Sequence, residues 1–112
     1  MSNTTNYLPV CALADLVPGL GACALVDGRQ VALFRLPGNA LYAIGNHDPF
    51  SDANVLSRGI TGDLQGIPVV ASPIYKQHFS LVDGHCLEDA AVRVPVYPVR
   101  VVEGRVEIGH RQ

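Results

Sequence analysis

Two polar segments of this chain carry the side chains best suited to chemistry: "GNHDPFSDANVLSRG" over 45–59 and "VVASPIYKQHFSLVDG" over 69–84. Imidazole and carboxylate groups are common metal ligands, so one interpretation is a mononuclear metal site built from His47, Asp48 and His78. The other interpretation is that these groups hydrogen-bond the loop backbone, as an Asp before a Pro often does. The second is favoured, because the sequence contains no regular ligand spacing such as H-x-x-x-H.

A further candidate for chemistry is the pair His85-Cys86, because a thiolate activated by an imidazole can act as a nucleophile. Adjacent residues of a strand point to opposite faces, so these two side chains are not expected to hydrogen-bond each other. The sequence also contains no Gly-rich phosphate loop and no G-x-G-x-x-G motif. We therefore predict that this chain has no catalytic residue of its own.

The composition is that of one folded domain over 1–112, with 48% hydrophobic and 16% charged residues. A formal charge of −2, with eight scattered basic residues, argues against nucleic acid as a partner. The chain shows no signal peptide and no apolar run of about 18 residues, so we expect a cytoplasmic protein without a membrane partner. The three cysteines, Cys11, Cys23 and Cys86, are too few and too widely spaced for a disulfide scaffold.

Short apolar runs separated by Gly and Pro predict an all-β fold. Four strands are expected over "NYLPVCA", "GACALVD", "RQVALFRL" and "NALYAIG", the last three forming a meander whose first turn is Asp27-Gly28. Pro9 restricts the first strand to a sheet edge or strand end, because proline has no N–H to donate. Two hairpins follow, in "IPVVASPIYKQHFSLVDG" and "VPVYPVRVVEGRVEIG". About eight or nine strands predict an antiparallel β-sandwich or small barrel, with 45–68 as the longest segment without strand character.

The two polar segments resemble the cluster-binding loops of Rieske-type [2Fe–2S] ferredoxin domains, and the resemblance extends over essentially the whole chain. That family carries C-P-H after one strand and C-P-x-H after another, and here "DPF" over 48–50 and "SPIY" over 72–75 occupy those frames. The closing strand pair of the family, P…Y-x-V-x-V-x-x-G-x-V-x-V, is matched over 95–108. The resemblance implies a Rieske-like antiparallel β-sandwich of short strands with two presented loops.

All four ligand positions of the family are exchanged in this sequence. Asp48 and Ser72 occupy the positions of the cysteines, and Phe50 and Tyr75 occupy those of the histidines. Thiolates hold an iron–sulfur cluster, and neither Asp nor Ser supplies one, while Phe cannot coordinate a metal. We therefore expect no cofactor in this chain. Phe50 and Tyr75 are instead predicted to pack as an aromatic pair that stabilises the loops without iron.

A longer match narrows the resemblance. The runs "NHDPFSDANVLSRGI" and "SPIYKQHFSL", with the lost ligands included, resemble the small subunits of bacterial cytoplasmic NAD(P)H-dependent nitrite reductases. The resemblance implies a large nitrite reductase subunit as partner. That subunit carries FAD, a [4Fe–4S] centre and sirohaem, and reduces nitrite to ammonium with electrons from NADH. The implied role of this chain is a non-catalytic small subunit that binds and supports the large one.

Four loop residues are predicted as partner contacts: His47, Arg58, Lys76 and His78. The alternative for each is an ordinary solvated side chain. Two other functions stay open from the residues alone. One is a stand-alone Rieske-type electron-transfer ferredoxin for an oxygenase or reductase, which would need all four ligands. The other is a small metal-dependent enzyme built on His47 and His78.

Overall fold

The computed structural model describes residues 5–111, and within them the backbone forms twelve short β-strands and two single turns of 3-10 helix. The strands are β1 (Thr5–Ala12), β2 (Gly21–Val26), β3 (Arg29–Arg35), β4 (Leu41–Gly45), β5 (His47–Asp48), β6 (Ala53–Asn54), β7 (Ile60–Leu64), β8 (Ile67–Ala71), β9 (His78–Ser80), β10 (Val96–Tyr97), β11 (Val99–Val102) and β12 (Arg105–Arg111). The 3-10 turns span Leu13–Asp15 and Leu56–Arg58. No helix in this part of the chain is long and apolar enough to cross a membrane.

The described strands pair antiparallel throughout, which confirms the predicted all-β, antiparallel class. The central sheet has the order β10-β4-β3-β2, and the closing sheet, built from the first and last strands, has the order β1-β12-β11. A third sheet, β7-β8-β9, and the two-stranded β5-β6 hairpin carry the two polar segments. The segments that resemble cluster loops therefore lie together, on strands separate from the closing sheet.

Side chains on both faces of the central sheet are buried, in two separate cores. Ala32, Phe34 and Ile44 belong to the loop-side core, which they share with side chains from β8, β9 and the segment after β9. Val31 and Leu33 belong to the closing core, which they share with side chains from β12. Burial on both faces explains why "VALF" in β3 is a continuous apolar run and not an alternating one.

Two local predictions are confirmed. Asp27 and Gly28 join β2 to β3 with φ values of 50° and 78°, the left-handed pair that a tight primed turn requires. Pro9 lies in β1 at the edge of the closing sheet, and the pairing register with β12 shifts between Pro9 and Cys11. The proline, which cannot donate a hydrogen bond, therefore sits at an irregularity of an edge strand.

The prediction that 45–68 lacks strands is wrong. β5 and β6 form a small hairpin there, and β7 pairs along its length with β8. The sequence of β7, "ITGDL", does not predict a strand, because Gly and Asp have low strand propensity. The strand forms through its pairing with β8. The C-terminal run also divides, because β10 pairs with β4 and β11 pairs with β12, so the chain changes sheets at Pro98. Both differences raise the number of strands above the prediction.

Candidate functional site

The two polar loops meet at a buried hydrogen bond. The first loop, residues 46–59, follows β4, and the second loop, residues 72–77, joins β8 to β9. The Ser72 hydroxyl donates to the Asp48 carboxylate, with 2.5 Å between Oγ and Oδ2, and both side chains are fully buried. These are the two residues predicted to replace the cysteines of Rieske-type domains. The structure therefore brings together two positions that are 24 residues apart in the chain.

Asp48 is also satisfied within its own loop. Its Oδ1 accepts the backbone N–H of Phe50 at 2.9 Å, and its Oδ2 accepts the Ser51 hydroxyl at 2.9 Å. Burial raises the pKa of this carboxyl, but the hydrogen bonds from Ser72, Phe50 and Ser51 outweigh burial and hold its pKa below the ordinary value. Asp48 is therefore ionised at neutral pH, and hydrogen-bond donors from both loops compensate its charge.

Ser72 organises the second loop from within. Its backbone N–H donates to the Gln77 carbonyl at 2.9 Å, and its own carbonyl accepts the Lys76 N–H at 3.1 Å. Its hydroxyl oxygen also accepts the Ile74 N–H at 3.3 Å. These bonds close the loop at its base, so the residues between point outward: Ile74 is 46% exposed and Tyr75 is 60% exposed.

The predicted pairing of Phe50 with Tyr75 is wrong. Within the described residues, Phe50 packs on Phe79 instead, with 6.1 Å between ring centroids and 48° between ring planes. Phe79 is fully buried in the loop-side core, so Phe50 extends that core towards the loops. Tyr75 lies beyond the closed base of the second loop, where its hydroxyl can stay hydrated. The two residues predicted to replace histidines of Rieske-type domains therefore lie in different environments.

The two loop histidines bind separate carboxylates. His47 contacts Asn54 through Nδ1 and Asp52 through Nε2, at 3.0 Å each, within the first loop. The Glu88 carboxylate contacts His78 twice, accepting its backbone N–H at 2.8 Å and lying 2.6 Å from its Nδ1. Among residues 5–111, no three His, Cys, Asp or Glu side chains form a group that could hold a metal ion. The metal-site interpretation for the two loops therefore has no geometric support.

The side chains of His85 and Cys86 are directed to different partners. His85 lies with its Nδ1 2.5 Å from the Asp83 carboxylate, while Cys86 is fully buried in the loop-side core. Burial raises the pKa of the Cys86 thiol, and the nearby Glu88 carboxylate at 3.6 Å adds to this by repelling a thiolate. The thiol is therefore protonated at neutral pH, which is the opposite of what a nucleophile requires.

A buried asparagine that the sequence interpretation missed anchors the first loop. The Asn46 side-chain amide donates to Gln30 Oε1 at 3.0 Å and to the Asn54 carbonyl at 3.2 Å. Its own oxygen accepts the Ser57 N–H at 2.7 Å. Asn46 thus connects β3 to both ends of the loop. The only signal in the sequence was a polar residue directly after an apolar strand, which does not distinguish it from the other polar loop residues.

The residues in the four ligand frames do not fit a [2Fe–2S] cluster. They offer a carboxylate that already accepts three hydrogen bonds, a serine hydroxyl that already donates, a half-buried phenyl ring packed against the core and an exposed phenol. Such a cluster requires thiolate sulfur. The three cysteines lie elsewhere, two of them on β1 and β2 and the third in the loop-side core. No electron-transfer step can be assigned to this site.

Three of the predicted partner contacts, His47, Arg58 and Lys76, are exposed, whereas His78 is half-buried. Arg58 ends the second 3-10 turn, and Lys76 lies at the outer end of the second loop. The sequence interpretation did not single out the exposed apolar residues near them. Ile60 in β7 is the clearest case, with 73% of its surface exposed.

Comparison with known proteins gives three results. Residues 6–109 match the family described as Rieske-like [2Fe-2S] domain. The nitrite reductase (NADH) small subunit of Salmonella typhimurium is 47% identical over 105 residues, which cover 93% of this chain and 97% of that protein. The NMR structure of the Escherichia coli protein NirD matches with a TM-score of 0.88 at 41% identity, covering 96% of this chain and 98% of that one.

A fourth match differs in length. The nitrite reductase [NAD(P)H] large subunit of Klebsiella oxytoca is 43% identical to this chain over 103 residues, which cover 92% of this chain but 11% of that protein. In that organism a domain of this type is part of the large-subunit chain itself.

Proposed function

We propose that this chain binds and supports a large nitrite reductase subunit without carrying electrons itself. The proposal follows from its family: the chain belongs to the Rieske-like [2Fe-2S] domain family and, within it, to the small subunits of NADH-dependent nitrite reductase. The observation that carries the proposal is the match to the Salmonella small subunit over nearly the full length of both chains. A match that complete includes the two loops as well as the strands that position them.

The Klebsiella match supports the choice of partner. A domain joined covalently to the large subunit stays at a high effective concentration beside it. A separate chain of the same type must reach that position by binding. We therefore propose that this chain contributes contact and shape to the assembly, which as a whole reduces nitrite to ammonium.

The supporting role follows from the chemistry of the ligand frames. An electron carrier of this family needs two thiolates and two imidazoles, whereas Asp48 and Ser72 use their polar atoms to hold the loops together. The same observation disfavours the stand-alone ferredoxin. The cofactors of the reaction, FAD, a [4Fe–4S] centre and sirohaem, are accordingly proposed to reside on the large subunit.

Two further expectations belong to the proposal. We place the assembly in the cytoplasm, where the NADH used by the named relatives is available. We also propose that 1–112 acts as one domain.

The test combines the chain with a purified large subunit. We expect a complex on size-exclusion chromatography and faster NADH-dependent nitrite reduction when the chain is added. The isolated chain is expected to contain no iron or acid-labile sulfide and to show no Rieske signal in low-temperature electron paramagnetic resonance. Full activity of the large subunit alone would remove the supporting role, and two irons per chain would restore the electron-carrier alternative.

A further inference from the structure

The outer end of the second loop exposes three consecutive large side chains. Ile74 and Tyr75 are 46% and 60% exposed, and Lys76, also exposed, follows them. At the base of the loop, Ile60 is 73% exposed and lies opposite Ala71, the last residue of β8. Together with one basic residue of the first loop, these side chains form what we call the tip surface: Arg58, Ile60, Ile74, Tyr75 and Lys76.

Arg58 belongs to the tip surface because of a close backbone approach. The next residue, Gly59, lies so near the Ala71 carbonyl that a Cβ atom at this position would collide with it. The glycine therefore lets the end of the first loop pack against the strand from which the second loop leaves. Both loops thus contribute to one end of the molecule.

Lys76 has a backbone conformation that lysine rarely adopts, with φ at 67°. The other positive-φ residues among those described, glycines aside, have local reasons. Each is an Asp or Asn, or directly precedes a glycine in a tight turn between strands: Asp27, Asn39, Asp52, Gln65 and Glu103. Lys76 has neither reason. Backbone strain of this kind persists where the surrounding structure enforces it, and it gathers at binding sites.

The surrounding structure that enforces this conformation is the hydrogen-bonded base of the loop. Ser72 bonds to Ile74, Lys76 and Gln77, and its hydroxyl is fixed by Asp48. The exposed side chains are therefore presented by a loop whose backbone is already ordered. A preordered surface loses less conformational entropy when a partner binds.

The exposed charge of the tip surface is positive, although the net charge of the chain is −2. Lys76 is the only lysine of the sequence, and Arg58 forms no ion pair with any described residue. Of the carboxylates in the neighbouring segments, Asp48 is buried, and Asp52 and Glu88 each contact a histidine. Asp63, further along β7 from Ile60, accepts the Gly66 N–H. The complementary surface is therefore acidic, with an apolar recess.

We infer that the tip surface is where this chain docks on the large nitrite reductase subunit, at an acidic site with a recess for Ile74 and Tyr75. The inference rests on the proposed function, which supplies the partner, and goes beyond it by naming the surface. Tyrosine and arginine, of which the tip surface has one each in Tyr75 and Arg58, are enriched among the residues that contribute most of the binding energy at interfaces.

Lys76 is the only lysine, so it carries the only side-chain amine of the sequence. Labelling of side-chain amines therefore reports on the tip surface. The chain is acetylated with and without the large subunit, and the Lys76 peptide is quantified by mass spectrometry. We expect loss of labelling at Lys76 in the complex and full labelling in the free chain. Equal labelling of Lys76 in both samples would overturn the inference.

Substitutions test the same surface by affinity. Tyr75→Ser is expected to raise the Kd for the large subunit by about tenfold or more. Lys76→Glu is expected to raise it about tenfold at low ionic strength and less at high salt, because screening weakens the charge contact. The matched controls are Leu25→Ser, at a side chain 70% exposed on β2, and Arg105→Glu, at an exposed residue of β12. Both controls are expected to bind like the unmodified chain.

The outcomes separate the two proposals. If the unmodified chain binds and activates the large subunit but the tip variants bind equally well, the docking surface is wrong and the supporting role stands. If the unmodified chain neither binds nor activates, both are wrong. If the tip variants instead change the sedimentation of the chain alone, a second copy of this chain occupies the surface and the inference is wrong. Circular dichroism of each variant confirms that a weaker Kd does not come from unfolding.

Discussion

The base and the outer end of the second loop are opposite in character. At the base, the polar side chains of Asp48 and Ser72 are fully buried and bonded to each other. At the outer end, Ile74 and Tyr75 are largely in solvent. A buried polar pair and an exposed apolar run are each informative departures from ordinary folding. Here Ser72 belongs to both features, since it bonds to Asp48 of the first loop and its other hydrogen bonds order the backbone that presents Ile74 and Tyr75.

The same comparison extends to all four residues predicted to replace the cluster ligands. Three of the four frame positions have turned inward, two as a hydrogen-bonded pair and Phe50 as a contact of the core residue Phe79. The fourth, Tyr75, has turned outward. The four residues therefore divide between the interior of the loops and their exposed surface.

The largest effect is expected at the base. Asp48→Ala should lower the free energy of unfolding by about 2–4 kcal/mol, because three donors lose their acceptor at a buried site and each unsatisfied group costs about 1–3 kcal/mol. Urea denaturation of the isolated chain measures this change in the free energy of unfolding. Asp15→Ala, at an exposed carboxylate, is the control and should change stability by less than about 0.5 kcal/mol. An equally small effect at Asp48 would mean that the buried pair does not hold the loops.

Features encoded by neighbouring residues could be predicted from the sequence, and features that depend on distant residues could not. Most of the strands and the Asp27-Gly28 turn could be predicted, because each is encoded by residues close together in the chain. The assignment of the four ligand frames stays a prediction. β7 could not be predicted, because a strand containing Gly and Asp is specified by its neighbour β8. The bond between Asp48 and Ser72 could not be derived from local pattern either, since it joins residues 24 positions apart.

The outward direction of Tyr75 depends on a feature that its own sequence does not signal. Lys76 adopts a left-handed backbone conformation without being Gly, Asn or Asp, and the hydrogen bonds of Ser72 impose it. In place of the aromatic pair predicted for Phe50 and Tyr75, Phe50 packs on Phe79. The predicted partner contacts on the loops, His47, Arg58, Lys76 and His78, stay predictions.

A second test compares the two aromatic frame positions directly. Phe50→Ala should lower the free energy of unfolding by about 2 kcal/mol, below the usual 3–5 kcal/mol for a fully buried Phe because Phe50 is only half-buried. Tyr75→Ala should change it by less than about 0.5 kcal/mol, because its ring is largely in solvent. Thermal or urea unfolding of both variants checks the pair. Similar losses at the two positions would show that Tyr75 is structural after all.

A third, smaller effect is the dependence of folding stability on acid pH, which arises from Asp48 at the base of the second loop. Hydrogen bonds hold the pKa of Asp48 below its ordinary value in the folded chain, so the unfolded chain binds more protons at acid pH. The stabilisation is therefore present above the unfolded pKa, about 4 for Asp, and is lost as pH falls through the folded pKa. Free energies of unfolding measured from pH 6 to pH 3 should fall less steeply for Asp48→Asn than for the unmodified chain. Parallel curves would contradict this assignment.

The smallest effect is expected at Lys76, and it has the opposite sign. Lys76→Gly removes the strain of a positive φ and should raise the free energy of unfolding slightly, by about 0.5 kcal/mol after the extra entropy of glycine in the unfolded chain is counted. Lys76→Ala keeps the strain and should leave stability unchanged, which makes it the matched control. A gain in stability on replacing Lys76 would mean that this lysine does not contribute to the stability of the fold. If Lys76→Gly instead destabilised the chain by more than about 1 kcal/mol, the lysine would stabilise the loop. The outer end of the loop would then contribute to folding, as its base does.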